Sequence, residues 1–103
     1  MENRKSPRFR TRFDTLYGAG AAEGAGILTD ISHSGARLEG VSLWPELGLE
    51  VRLYVFIQPV APFELVGRIV RKTESGFAIV FELENPEIRH LVDDVAALVN
   101  QVP

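Results

Sequence analysis

The 103-residue chain has no cysteine, two histidines and one methionine. Without cysteine, neither a disulfide nor a thiolate metal site is possible. His33 and His90 are too few and too far apart in the sequence to indicate a metal centre. No apolar run reaches the ~18 residues of a membrane-spanning helix, and the N-terminus lacks the apolar stretch of a signal peptide. The sequence therefore predicts a single cytoplasmic domain with no metal, no cofactor and no membrane insertion.

Charge is distributed unevenly along the chain. The net charge is −3, yet residues 1–12 hold five basic residues against Glu2 alone, and residues 13–103 hold six bases against thirteen acids. The first segment is thus +4 and the remainder −7. Nucleic-acid-binding domains usually spread positive charge over a whole face. A basic segment on an acidic body favours a local anion site instead, and argues against nucleic acid as a partner.

The basic segment contains the pattern R-x-x-x-R at residues 4–8. A guanidinium group bonds phosphate oxygens in a fork and stacks on aromatic bases, so Arg4 and Arg8 suit a nucleotide ligand. Lys5 and Arg10 are possible additional contacts. The alternative is a solvated basic tail, because most charge runs have no other role.

A second pattern, D-x-S-x-x-G, occupies residues 30–35. Asp30 can accept hydrogen bonds from the N1–H and N2–H₂ groups of guanine, and Ser32 can bond a phosphate or a base. Gly35 can adopt positive φ or admit a ligand close to the backbone. Arg37, just after the motif, is a possible additional contact. The alternative is an ordinary turn in which these side chains bond local amides and Gly35 permits the bend.

Alternation of apolar and polar residues predicts a mainly β fold. Residues 1–12, interrupted by Pro7, are predicted to form a flexible arm, and residues 18–24 a turn of small residues. Gly67 lies inside a predicted strand and indicates a bulge or tight bend. The predicted strands lie near residues 13–17, 27–31, 36–39, 49–58, 64–72 and 77–82.

The period changes near the C-terminus. Asn85 is a plausible N-cap, Pro86 suits the first helical position, and apolar residues follow at helical spacing. These features predict an amphipathic helix over about 86–100, which belongs with the strands to one domain spanning 13–103. Short strands followed by one helix favour a small barrel or strongly bent sheet, with the helix covering one opening.

The order and spacing of the two motifs, together with the later strands, resemble the PilZ domain family, whose members bind the bacterial second messenger cyclic di-GMP. The resemblance covers most of the chain. It implies a six-stranded antiparallel β-barrel with a C-terminal α-helix. It rests on the patterns R-x-x-x-R and D-x-S-x-x-G and on the segments 35–38, 48–53, 66–70 and 76–81.

The resemblance also implies roles for the motif residues. Arg4 and Arg8 would contact phosphates and stack on guanine, while Asp30, Ser32 and Gly35 would hold a base and a phosphate against the barrel. Ligand would then order the arm, and the domain would signal through an unidentified protein partner. The alternative function is an interaction adaptor of the same fold that does not depend on nucleotide.

Enzymatic activity is not expected. The chain has no serine–histidine–acid pattern, no metal cluster and no G-x-x-x-x-G-K phosphate loop. Asp93 and Asp94 are paired carboxylates that are interpreted as solvating a helix face. Trp44, beside a proline, is interpreted as a packed loop aromatic, and His33 as a solvent-facing turn residue.

Overall fold

A computed structural model describes residues 8–57 and 62–81, together with His90, Asp93 and Asp94. The six strands are β1 (Phe9–Ala19), β2 (Ala22–Ile31), β3 (Gly35–Glu39), β4 (Glu50–Val55), β5 (Phe63–Lys72) and β6 (Gly76–Val80). They close into an antiparallel barrel in the order β1-β2-β3-β6-β5-β4. The expected six-stranded antiparallel barrel is therefore confirmed. The predicted helix over about 86–100 lies almost wholly outside the described residues and stays a prediction; the three residues described there have helical backbone.

The core fills the barrel interior. In β4, Val51, Leu53 and Val55 are fully buried and alternate with exposed residues, as the period of two predicts. Burying such a side chain stabilises the fold by roughly 1.5–3 kcal/mol. Tyr17 and Phe77 meet edge to face, with ring centroids 5.1 Å apart. A continuous apolar core of this kind fixes the register of every strand around it.

Strand β1 begins earlier than expected. Residues 9–12, which the sequence predicts to be part of the flexible arm, belong to this strand, and Phe9 and Arg10 pair with the end of β2. Phe9 and Phe13 pack against the core, while Arg10 and Arg12 face solvent. The alternation of aromatic and basic residues over 9–13 is therefore that of a strand with one partly buried and one charged face. In the sequence, the basic residues of the charged face resemble a solvated tail.

Strand β2 also begins earlier than expected, at Ala22. Most of the predicted turn at 18–24 is strand, and the chain reverses at Gly20, whose φ is +61°. Glycine adopts this left-handed conformation without steric cost. Small residues have little intrinsic preference for a strand. Residues 22–24 therefore form a strand because they pair with the long strand β1.

Gly67 does not mark a bulge. The register of β5 against β6 shifts between Ile69 and Arg71 instead. A Cβ added to Gly67 would lie 2.7 Å from the carbonyl oxygen of Val80. Glycine is required at this position because β6 approaches closely, which corrects the predicted bulge.

The barrel has two ends. The arginine end carries Arg8, the start of β1 and the turn 32–34 between β2 and β3. The loop end carries the loop 40–49 between β3 and β4. Because β3 and β4 lie opposite each other in the ring of strands, this loop crosses the barrel mouth. Val41 and Pro45, two residues of this loop, are buried and close the core.

Candidate functional site

The D-x-S-x-x-G motif forms the end of β2 and the turn into β3. The backbone N–H of Ser32 donates to the carbonyl of Gly35 at 2.9 Å, which closes the turn. The N–H of Ser34 donates to the hydroxyl of Ser32 at 3.2 Å. Ser32 is buried, with 6% of its surface exposed. Its hydroxyl is thus already used locally, and a ligand would have to share it or displace the bond from Ser34.

Gly35 does not have the predicted positive φ; among the described residues only Gly20, Gly40 and Gly48 do. A Cβ added to Gly35 would overlap the carbonyl oxygen of Ile79 on the neighbouring strand β6. The prediction that Gly35 has a positive φ is therefore wrong. So is the alternative that Gly35 merely permits the chain to bend. Glycine is required here because β3 and β6 pack closely.

The structure brings one residue of each motif together. Nη1 of Arg8 lies 3.7 Å from Oδ2 of Asp30, and the two side chains are 62% and 21% exposed. An ion pair this exposed is worth about 0–1 kcal/mol, so it is easily exchanged. Arg4 and Lys5 lie outside the described residues.

Two further arginines lie beside Asp30 on the outer face of the barrel. Asp30 pairs with Arg10 of β1 and with Arg37 of β3. Directly paired residues of antiparallel strands have side chains on the same face, so the three form one row. The register shifts in both strand pairs next to this row. Such shifts increase local twist and re-aim side chains.

Arg37 retains hydrogen-bonding capacity. Its Nε lies 3.7 Å from a carboxylate oxygen of Glu39, which is too long for a hydrogen bond. Within the part of the chain that the structure describes, this Nε is buried and has no hydrogen-bond partner. A buried donor without a partner is costly, so a ligand that supplied an acceptor would be favoured.

The row continues around the barrel. Arg37 pairs with Ala78 of β6, which pairs in turn with Arg71 of β5. The small side chain of Ala78 separates the two arginines. Arg71 is not among the predicted site residues, and no local signal in the sequence reveals it, because its place depends on the register shift in β5.

The motif turn also contacts the C-terminal segment. Nε2 of His33 lies 3.1 Å from Oδ1 of Asp93, a residue sixty positions away. His33 is therefore not simply a solvent-facing turn residue, and Asp93 does more than solvate a face. This contact links the predicted ligand turn to the segment that follows the barrel.

Chemically, the arginine end offers cationic forks and one carboxylate. No group of three or more His, Asp or Glu side chains in the described ranges is placed to hold a metal ion. Nor do those ranges contain a helix long and apolar enough to cross a membrane. The arginine end is thus suited to bind an anion that also has hydrogen-bond donors.

Comparison with known families agrees with the barrel fold. The family model of the PilZ domain matches residues 2–97 of the chain. The chain belongs to the PilZ domain family, and one such domain spans nearly its whole length. A comparison with curated proteins gives no match. PilZ domains are binding domains rather than enzymes, and they generally bind cyclic di-GMP.

Proposed function

We propose that this chain is a cyclic di-GMP receptor that binds the nucleotide at its arginine end and signals through a protein partner. The observation that carries the proposal is the approach of Arg8 to Asp30 at 3.7 Å. It brings the second arginine of R-x-x-x-R beside the carboxylate of D-x-S-x-x-G on one surface of a PilZ domain.

The charges of this surface complement the ligand. Cyclic di-GMP carries two anionic phosphodiester groups and two guanine bases. Arg8, Arg10 and Arg37 provide three cations, against the carboxylates of Asp30 and Glu39. Arg4 and Lys5 would add two more cations from the arm. Arginine forks bond phosphate oxygens, while Asp30 accepts from the donor edge of guanine.

Ligand binding would replace the ion pair between Arg8 and Asp30 with contacts from each residue to the ligand. Arg8 would leave Asp30 for a phosphate, and Asp30 would take a guanine edge in return. One weak exposed ion pair is then replaced by two charge-assisted contacts. Ordering the arm costs part of this gain. The ordered arm would present a new surface to the partner.

Isothermal titration of the full chain with cyclic di-GMP tests the proposal. The wild type should bind, and Arg8→Ala and Asp30→Ala should each weaken binding by about 2–5 kcal/mol, or roughly 30-fold and more. Arg52→Ala is the matched control, because it removes an exposed arginine that is bonded to Glu64 on β5. It should bind as the wild type does. No binding by the wild type at tens of micromolar overturns the proposal.

A nucleotide-independent adaptor is the second candidate function. The observation that favours it is an apolar surface at the loop end, away from both motifs. An adaptor would bind its partner equally well with and without cyclic di-GMP. The same titration, repeated in the presence of the partner, separates the two functions.

A further inference from the structure

We propose that the loop end is a docking surface for a protein segment with apolar anchors flanked by lysine or arginine. The surface consists of the loop 40–49 and an adjoining groove between β1, β2 and β4. The proposal does not rest on nucleotide binding, because no residue of this surface belongs to the arginine end.

The outward side of the loop is apolar without a structural reason. Closing the barrel mouth requires apolar residues only on the inner side, where Val41 and Pro45 are buried. Yet four large apolar side chains within seven positions face solvent, led by Leu47 at 58% exposure. The others are Leu43, Trp44 and Leu49. Clustered exposed apolar residues of this kind mark interaction sites, whereas single ones do not.

The loop is held rigidly. The hydroxyl of Tyr17 accepts from the N–H of Leu43 and donates to its carbonyl. The indole N–H of Trp44 donates to the carbonyls of Thr73 and Gly76, on either side of the β5–β6 turn, at 3.1 and 3.0 Å. The N–H of Gly48 donates to the carbonyl of Ile69 at 2.8 Å. A preorganised surface loses little entropy on binding, and an anchored aromatic is a common hot spot.

An open groove of about 500 Å³ continues this surface. Leu16 and Tyr54 supply its apolar walls, and both are substantially exposed. Gly20 lines the groove, and a Cβ added to it would lie 4.0 Å from a methyl group of Leu49. The loop and the groove are therefore contiguous, and one extended or helical segment can contact both.

The charges around this surface indicate the charge of the partner that it would bind. Exposed carboxylates lie in the loop, in the groove and on the neighbouring β5–β6 turn; they are Glu23, Glu46, Glu50 and Glu74. Three cations lie nearby: Lys72, exposed at the end of β5, is outnumbered by these four carboxylates, and Arg52 and Arg68 are already hydrogen-bonded. Arg52 bonds Glu64 at 2.5 Å, and that bond raises the pKa of Arg52. Arg68 donates to the carbonyl of Gly48 at 2.7 Å. A basic partner is thus complementary, and the face of Tyr54 can receive a cation.

A second copy of the chain is a poorer occupant. The basic residues of this chain cluster in residues 1–12, which lead into the arginine end. A copy that inserted them into the loop end would bind head to tail. Such a contact satisfies both ends only if the rotation between copies closes a ring, and otherwise it grows into open filaments. The surface therefore fits a different protein better.

The test uses two synthetic amphipathic peptides of about fourteen residues with the same leucine stripe, one flanked by lysine and one by glutamate. Each is titrated into the isotope-labelled full chain while amide chemical shifts are recorded. The lysine peptide should bind at least tenfold more tightly, with shifts confined to residues 16–24 and 41–54. Leu47→Asp should weaken its binding at least tenfold. Val70→Asp, a matched control at an exposed apolar residue of β5, should leave it unchanged.

Cyclic di-GMP affinity, measured in parallel, should be the same in Leu47→Asp as in the wild type, which separates this proposal from the proposed function. Equal affinity for the two peptides, or shifts elsewhere on the barrel, overturns the proposal. So does a concentration-dependent dimer in sedimentation that Leu47→Asp abolishes, because the occupant would then be a second copy.

Discussion

The two ends of the barrel differ in chemistry and in how their residues are held. The arginine end has charged side chains that range from exposed to half-buried and are joined by long contacts, such as Arg8 and Asp30 at 3.7 Å. The loop end has apolar side chains on a loop fixed by several hydrogen bonds, with Tyr17 bonding both backbone polar groups of Leu43. Loose ionic contacts suit a site whose partners exchange on ligand binding. A rigid apolar face suits a surface that is complete before its partner arrives.

The largest expected effect concerns strand packing, which both ends share. A Cβ at Gly76 would overlap the carbonyl of Leu38, and a Cβ at Gly35 would overlap that of Ile79. Each alanine variant should lose about 3 kcal/mol or more of unfolding free energy, because backbone cannot yield as a side chain does. Urea unfolding measures this loss. Gly18→Ala is the control, since its nearest neighbour would be 3.9 Å away. Wild-type stability of Gly35→Ala would contradict the structural role of that glycine.

The next effect separates the two ends. Tyr17→Phe removes the hydroxyl that bonds Leu43 and should cost about 1–2 kcal/mol of stability. Hydrogen exchange at residues 41–48 should accelerate, while exchange at residues 30–37 should not. Tyr54→Phe, at an exposed tyrosine, is the control. Equal acceleration at both ends would show that the loop is not held locally.

A smaller effect is expected at the contact between the motif turn and the C-terminal segment. His33→Ala and Asp93→Ala, combined in a double-mutant cycle, should give a coupling energy of about 0.2–1 kcal/mol, because the contact is partly exposed. Urea unfolding of the four proteins supplies the cycle. A coupling energy of zero would show that the turn and the segment are independent.

The smallest effect concerns Arg8 without ligand. Arg8→Ala should change stability by less than about 1 kcal/mol, and salt should reduce the difference further. Thermal unfolding at low and high ionic strength measures it. A large loss of stability would mean that Arg8 is a structural residue, and the exchange of partners proposed for Asp30 would then be too costly.

The sequence predicted the fold well where one strand face is buried. The alternation through Val51, Leu53 and Val55 identifies β4 because a period of two has no other cause over that length. The sequence mispredicted the start of β2, where pairing with a neighbouring strand decides the local structure. Ala22 and Gly24 have little strand preference, yet they pair with β1.

The candidate site, like the fold, has features that local sequence patterns predict and features that depend on strand pairing. The two motifs could be found in the sequence, since each is local. The row formed by Arg10, Asp30 and Arg37 could not, because it depends on register shifts in two strand pairs. The requirement for glycine at position 35 comes from β6, far along the chain, so no local pattern reveals it.

The most direct test of the difference between the two ends is amide hydrogen exchange of the full chain with and without saturating cyclic di-GMP. We expect slower exchange at residues 8–10 and 30–37 and unchanged exchange at residues 41–48. Unchanged exchange throughout, or slowing confined to residues 41–48, would contradict the assignment of the nucleotide to the arginine end.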